Sequence, residues 1–184
     1  RREERGHQHE GADAADAEQD GADRRAVERR LGEPRVQDRG DHERNSRSRL
    51  PMGSRLTRLE LMNLALMASE NRAASALGRN HPGGESAFVT DMNAKARVIG
   101  LTDTHFTEGT GLSSANVSTA RDLAKMVQAA SRYSLIRELS TASELNLELS
   151  GRTVTFRNTN RLVGAESWGV VLQKTGYISE AGQC

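Results

Sequence analysis

Thr57-Arg58-Leu59-Glu60-Leu61-Met62-Asn63-Leu64-Ala65-Leu66-Met67-Ala68-Ser69-Glu70-Asn71 is the stretch on which the fold turns. Thr57 and Glu60 have the S/T-x-x-E spacing of a capping box, in which hydroxyl and carboxylate each satisfy a backbone N–H at a helix start. Beyond that cap, Leu59, Leu61, Met62, Leu64, Ala65, Leu66 and Met67 lie nearly all round the helix axis. A helix apolar on every side belongs inside a protein rather than on its surface. It delivers Ser69-Glu70-Asn71 at or just beyond its C-terminal end.

Working outward, a second helix is expected over residues 72–77, and His81-Pro82-Gly83-Gly84 breaks the chain after it. A third helix over residues 85–99 carries Phe88, Met92, Ala96 and Ile99 on one face, and Gly100 fits the left-handed position that ends it. An extended piece at Thr104-His105-Phe106 leads to the Gly-rich loop Gly109-Thr110-Gly111-Leu112, which lacks the Lys and helix start of a phosphate loop. Ser118 is the expected cap of a helix over residues 119–131 with Leu123, Met126 and Val127 facing inward. A short helix over residues 135–139 follows. Alternation then takes over. Leu145, Leu147 and Leu149 form one face and Val154 and Phe156 another, joined at Ser150-Gly151 as a hairpin. A last strand is expected over residues 168–174, with Trp168 in the core, running into Thr175-Gly176. Helices first and strands later imply an α/β domain of the α+β kind, a helical cluster packed on an antiparallel sheet.

Residues 1–49 are unlike the rest. Their only large aliphatics are Val27, Leu31 and Val36, and they contain 12 Arg and 13 acidic residues without an aromatic, Met, Ile or Lys. So little apolar surface cannot offset backbone ordering at roughly 1–2 kcal/mol per residue. The expected organisation is a disordered segment over 1–49 and a folded domain over 50–184. The Arg, Asp, Gly, Ala and Gln bias of the first segment is that of a GC-rich gene read out of frame. On that reading, the expected domain lacks a central helix and exposes core surface around Leu64 and Leu66.

The formal net charge of +1 gives no case for nucleic acid or an anionic membrane surface. No apolar run is long enough to span a bilayer. The single cysteine, Cys184, excludes an internal disulfide. His81 and His105 are not spaced as metal ligands, His7, His9 and His42 lie in the polar segment, and no cofactor is implied.

Two tripeptides carry the chemistry. Ser69-Glu70-Asn71 has the form S-x-N, and Lys174-Thr175-Gly176 the form K-T-G, 105 positions further on. Such motifs line opposite walls of acyl-transfer sites whose nucleophilic Ser sits in S-x-x-K. That third motif is missing. The lysines are Lys95, Lys125 and Lys174, and the residues three places before them are Met92, Asp122 and Val171. A Ser hydroxyl is a weak nucleophile without an adjacent base such as a desolvated Lys. Lys174 and Thr175 suit a substrate carboxylate, and Gly176 allows close backbone approach. Ser69 suits proton relay to a leaving amine, and the Asn71 amide suits a substrate carbonyl.

The segment from Leu64 to Ala74 resembles the S-x-N region of low-molecular-mass penicillin-binding proteins, the serine D-alanyl-D-alanine carboxypeptidases and endopeptidases. The likeness continues through Pro82-Gly83-Gly84, Met92-Asn93-Ala94-Lys95-Ala96 and Thr110-Gly111-Leu112-Ser113. It extends over Ser118-Thr119-Ala120-Arg121-Asp122-Leu123, Phe156-Arg157-Asn158-Thr159-Asn160 and Lys174-Thr175-Gly176. It covers about residues 48–184 and is nearest to the penicillin-binding protein 7 type of endopeptidase.

The resemblance implies a partial transpeptidase or β-lactamase-like domain, with Ser69 as the S-x-N serine and Lys174 as the substrate-binding lysine of K-T-G. It implies peptidoglycan stem peptides as substrate, an acyl-serine intermediate, β-lactams as ligands and the periplasm as location. Other cell-wall hydrolases are candidate partners. The family's nucleophilic Ser and its Lys have no counterpart in residues 1–49, so the chain is expected to be an inactive fragment. The rivals are a class A β-lactamase, disfavoured by Ser-Glu-Asn and the segment from Met92 to Ala96, and a catalytically dead peptidoglycan-binding module.

Overall fold

A computed structural model describes residues 36–37, 48–165, 167–179 and 182–183. Among them run strands β1 (Val36–Gln37) and β2 (Arg55–Leu56), then helices α1 (Arg58–Met67), α2 (Asn71–Arg79) and α3 (Gly84–Val98). Helices α4 (Ala120–Ala130) and α5 (Ser134–Thr141) follow, then strands β3 (Glu144–Leu149), β4 (Arg152–Arg157), β5 (Tyr177–Ile178) and β6 (Gly182–Gln183). The strands form three antiparallel pairs, β1–β2, β3–β4 and β5–β6.

Helix α1 begins as its sequence dictates. The Glu60 N–H donates to Thr57 Oγ1 at 3.2 Å, and the Thr57 N–H donates to Glu60 Oε2 at 2.6 Å. Each removes one orphan donor from the helix start. No residue of α1 is exposed. Leu61, Leu64 and Met67 join Leu50, Leu56, Ala73, Ala76, Leu147, Leu149 and Phe156 in one core. The expected exposure around Leu64 is therefore corrected. Leu64 is fully buried and Leu66 half-buried, because α2 and the β3–β4 hairpin close over α1.

The hairpin turns at Ser150 (φ 52°) and Gly151 (φ 76°), two successive left-handed residues that match the twist of the paired strands. Its register pairs Leu145 with Phe156 and Leu147 with Val154. The two apolar sets assigned to separate faces thus share one, since directly opposed residues project from the same side of a sheet. Arg49 covers the outer edge. Its guanidinium lies 4.6 Å from the Phe156 ring centroid and donates to the Thr155 carbonyl at 3.0 Å. The described residues before residue 50 are Ser48–Arg49 and Val36–Gln37, whose backbone pairs with β2. The rest of the polar segment, where disorder was expected, lies outside the described residues.

Helix α3 ends at Gly100 (φ 76°), where the Leu101 N–H returns to the Ala96 carbonyl at 2.9 Å. Phe88, Met92, Ala96 and Ile99 line a cavity of about 380 Å³ with Leu101, Phe106 and Met126. The Gly-rich loop abuts the same ring. A Cβ at Gly109 would lie 2.6 Å from Phe88 Cε1, so that glycine serves close packing rather than phosphate binding.

Two expectations about α4 fail. Its cap is Thr119, whose side chain accepts from the Asp122 N–H at 3.2 Å, and Ser118 instead pairs with Thr104 at 2.8 Å. Leu123 and Val127 are exposed, while Met126 faces the cavity as expected and Asp122 is fully buried. The Asp103 N–H, Thr104 hydroxyl and Lys125 ammonium all converge on that carboxylate, at 2.8, 3.0 and 3.1 Å. Burial alone raises the pKa of Asp122, and these donors more than offset it, leaving the pKa below the ordinary value. Satisfying the carboxylate fixes the rotation of α4 and turns the Leu123–Val127 stripe outward. Trp168 is likewise not a core residue but 61% exposed, and residues 168–174 make no strand. Among the described residues no neighbour offers that segment a ladder, and side-chain hydrogen bonds hold it instead.

Candidate active site

The end of α1 and the K-T-G segment meet. Ala68 closes the helix, and Ser69 takes a left-handed conformation (φ 51°) that L residues with a side chain rarely adopt. The Glu70 N–H folds back onto the Leu64 carbonyl at 3.1 Å, which locks the reversal. Asn71, half-buried, then starts α2. This turn aims the Ser69 hydroxyl away from the core and toward residues 174–175.

There Lys174 Nζ donates to Ser69 Oγ at 2.5 Å, and Ser69 Oγ donates to the Thr175 carbonyl at 3.1 Å. The Thr175 hydroxyl lies 3.4 Å from Ser69 Oγ. Lys174 is exposed as a residue, yet the protein around its ammonium disfavours the charged form and lowers its pKa below the ordinary lysine value. A partly desolvated ammonium touching a serine hydroxyl can pass a proton to it, and the neutral amine that results can take one back. The same cation, with the Thr175 hydroxyl beside it, can hold an anion. Gly176 is exposed immediately before β5.

The sequence reading brings together Ser69, Lys174 and Thr175, and the structure places them in direct contact. Asn71 starts α2 two residues after Ser69, and Gly176 follows Thr175 in the chain. Two residues without an assigned role also belong to the arrangement. Gln173, buried, donates to the Ser140 carbonyl at 2.7 Å and to the Leu66 carbonyl at 3.4 Å, tying K-T-G to α5 and α1. Thr159 donates its N–H to the Met67 carbonyl at 3.1 Å, and its hydroxyl lies 2.5 Å from that of Thr175. The available signal was a lone polar residue, Gln173, between Leu172 and the K-T-G lysine.

The conformation at Ser69 has a testable cost. A non-glycine residue in the left-handed region loses roughly 1–2 kcal/mol relative to its ordinary conformation. Ser69→Gly and Ser69→Ala remove the same hydroxyl but differ in that cost. Ser69→Gly should be the more stable by about 1 kcal/mol in urea unfolding. Equal stabilities would mean that the reversal at residue 69 is not held as described.

His81 and His105 lie apart from this site. His81 Nε2 pairs with Asp91 at 3.3 Å, and His105 bridges to Val117 through its backbone.

Comparison with known proteins gives a family context. The D-alanyl-D-alanine carboxypeptidase family profile matches residues 31–184, beginning earlier than the motif resemblance at about residue 48. A D-alanyl-D-alanine endopeptidase of Escherichia coli is 49% identical over 139 residues, which are 74% of this chain and 45% of that protein. One from Pseudomonas aeruginosa is 47% identical over 139 residues, with the same coverage of 74% and 45%. Among solved structures, a Streptomyces DD-transpeptidase superposes with a TM-score of 0.69 at 30% identity, over 76% of this chain and 58% of that one. A D-alanyl-D-alanine carboxypeptidase from Mycobacterium tuberculosis superposes with a TM-score of 0.68 at 26% identity, over 83% and 61%. The chain spans just under half the length of the two endopeptidases.

Proposed function

The chain belongs to the D-alanyl-D-alanine carboxypeptidase family, and from that premise we propose that it forms the carboxylate-binding wall of a serine D-alanyl-D-alanine peptidase acting on peptidoglycan stem peptides. The observation that carries this reading is the contact of the Lys174 ammonium with the Ser69 hydroxyl at 2.5 Å, with the Thr175 hydroxyl alongside. A cation and a hydroxyl donor side by side match the terminal carboxylate of a D-alanyl-D-alanine stem, and the similar carboxylate of a β-lactam. Where a nucleophilic serine completes the site, Ser69 relays the proton between Lys174 and a leaving amine, and Asn71 holds a substrate carbonyl. Peptidoglycan lies outside the cytoplasmic membrane, so the site of action is the periplasm. The part such a wall plays is cell-wall remodelling, by terminal D-alanine removal or cross-link cleavage.

The sequence holds no S-x-x-K, so the serine and lysine pair of the acylation motif is not in it. The proposed role of this chain is recognition without covalent chemistry. A fluorescent penicillin tests both halves. In native solution its polarisation should rise with added protein and fall when D-alanyl-D-alanine competes. After denaturing electrophoresis no labelled band should remain. A covalent band would overturn the non-covalent role, and an unchanged polarisation would overturn recognition.

A further inference from the structure

The hydroxyl of Thr175 has a second threonine behind it, and the hydrogens around the pair can be counted. Ser69 Oγ accepts from Lys174, and its one hydroxyl proton has the Thr175 carbonyl at 3.1 Å, which also accepts from Lys174, and the more distant Thr175 hydroxyl at 3.4 Å to choose between. From 3.4 Å Ser69 offers the Thr175 hydroxyl only a long hydrogen bond, and Thr159 offers a short one. Its hydroxyl stands 2.5 Å from Thr175 Oγ1 and 3.3 Å from the Met67 carbonyl. The Met67 carbonyl already accepts the Thr159 N–H at 3.1 Å, so turning the Thr159 proton to Thr175 leaves no backbone acceptor orphaned. Thr175 then accepts from behind, and its own proton is free for an oxygen in the cleft. A hydroxyl that accepts one hydrogen bond also donates a stronger one.

The position of Thr159 is fixed independently of Thr175. The neighbouring Asn158 side chain donates to the Ser140 and Ala142 carbonyls, both at 2.8 Å, and Gln173 donates to the same Ser140 carbonyl at 2.7 Å. Both strips of chain are thus pinned to the end of α5, which holds the two threonines in register.

We propose that Thr159 is a positioning residue that makes the Thr175 hydroxyl a donor and so sets the preference of the site for an anionic carboxylate over a neutral amide. The inference rests on the reading of Lys174 and Thr175 as a carboxylate anchor. It adds a residue outside both tripeptides and a property, acid-over-amide selectivity, that loss of general structure would not alter selectively.

The test titrates N-acetyl-D-alanyl-D-alanine and its C-terminal amide into the full chain and follows both by calorimetry. The chain binds the acid more tightly than the amide. In Thr159→Val, which keeps the branched shape and loses the hydroxyl, that preference falls about fivefold, the worth of one net hydrogen bond. Thr159→Ser, which keeps the hydroxyl, retains the preference and guards against a folding defect. If the parent prefers the acid and Thr159→Val prefers it equally, the role of Thr159 is overturned and the anchor stands. If the parent shows no acid preference, the anchor itself is overturned, and the role of Thr159 with it.

Discussion

Lys174→Ala loses binding of N-acetyl-D-alanyl-D-alanine by about 10- to 100-fold, the range expected when a hydrogen bond to a charged group is removed. The ammonium is the one cation in contact with the Ser69 hydroxyl among the described residues, and Thr175 alone offers a neutral donor there. The substitution also removes one partner of Ser69, leaving its hydroxyl with the Thr175 carbonyl and hydroxyl. Affinity has a pH dependence with a definite sign. The anchor must be protonated, and desolvation lowers the pKa of Lys174. Binding is therefore full near neutral pH, where the ligand carboxylate is ionised and the ammonium charged. It declines as pH rises through that lowered pKa, at a pH where an ordinary lysine would still be charged. Calorimetric titration of parent and variant across neutral and alkaline pH checks both points. Equal affinities in parent and Lys174→Ala would remove the anchor.

Phe156→Ala costs about 3–5 kcal/mol of folding stability. Phe156 is fully buried, faces Leu145 across the hairpin and stacks beneath the Arg49 guanidinium. Its removal leaves a cavity between the hairpin and α1 and strips Arg49 of its aromatic partner. Against a total stability of roughly 5–15 kcal/mol for a domain, that is a large fraction. Trp168→Ala is the matched control, since that ring is 61% exposed and its loss should change stability little. Urea unfolding of the two variants measures the difference. A Phe156→Ala loss below about 1 kcal/mol would mean that the hairpin is not docked on α1.

Local signals were legible where one residue type had one physical use. Thr57 with Glu60 could only cap, Gly100 could only end α3, and Ser150-Gly151 between alternating segments could only turn. The rotation of α4 was not legible. Apolar residues at 123, 126 and 127 suggest an inward face, but the three donors that converge on Asp122 come from distant residues and α4 itself, and they decide which face is inside. Residues 168–174 hold the apolar run Val170-Val171-Leu172 that suggests a strand, yet strand structure requires a partner that such a run does not supply. Trp168 shows the same limit, since a large apolar side chain says nothing about which segment covers it. The site divided similarly. The meeting of Ser69 with Lys174 and Thr175 was legible from the two tripeptides. Thr159 and Gln173 act through backbone carbonyls and a hydroxyl, roles that many polar residues share, so only geometry reveals them.

The most direct measurement of the central claim uses the scarcity of lysine. With Lys95, Lys125 and Lys174 as the three lysines of the chain, ¹³C labelling of lysine ε-carbons gives three signals. Lys125 is held by Asp122 and the Gly100 carbonyl, and Lys95 lies over the Tyr133 ring, both away from Ser69. On titration with N-acetyl-D-alanyl-D-alanine, the Lys174 signal should move with saturation while the other two stay in place, and its titration with pH should shift upward as the bound carboxylate favours the charged form. A Lys174 signal that stays still at saturating ligand, or movement confined to Lys95 or Lys125, would contradict the account.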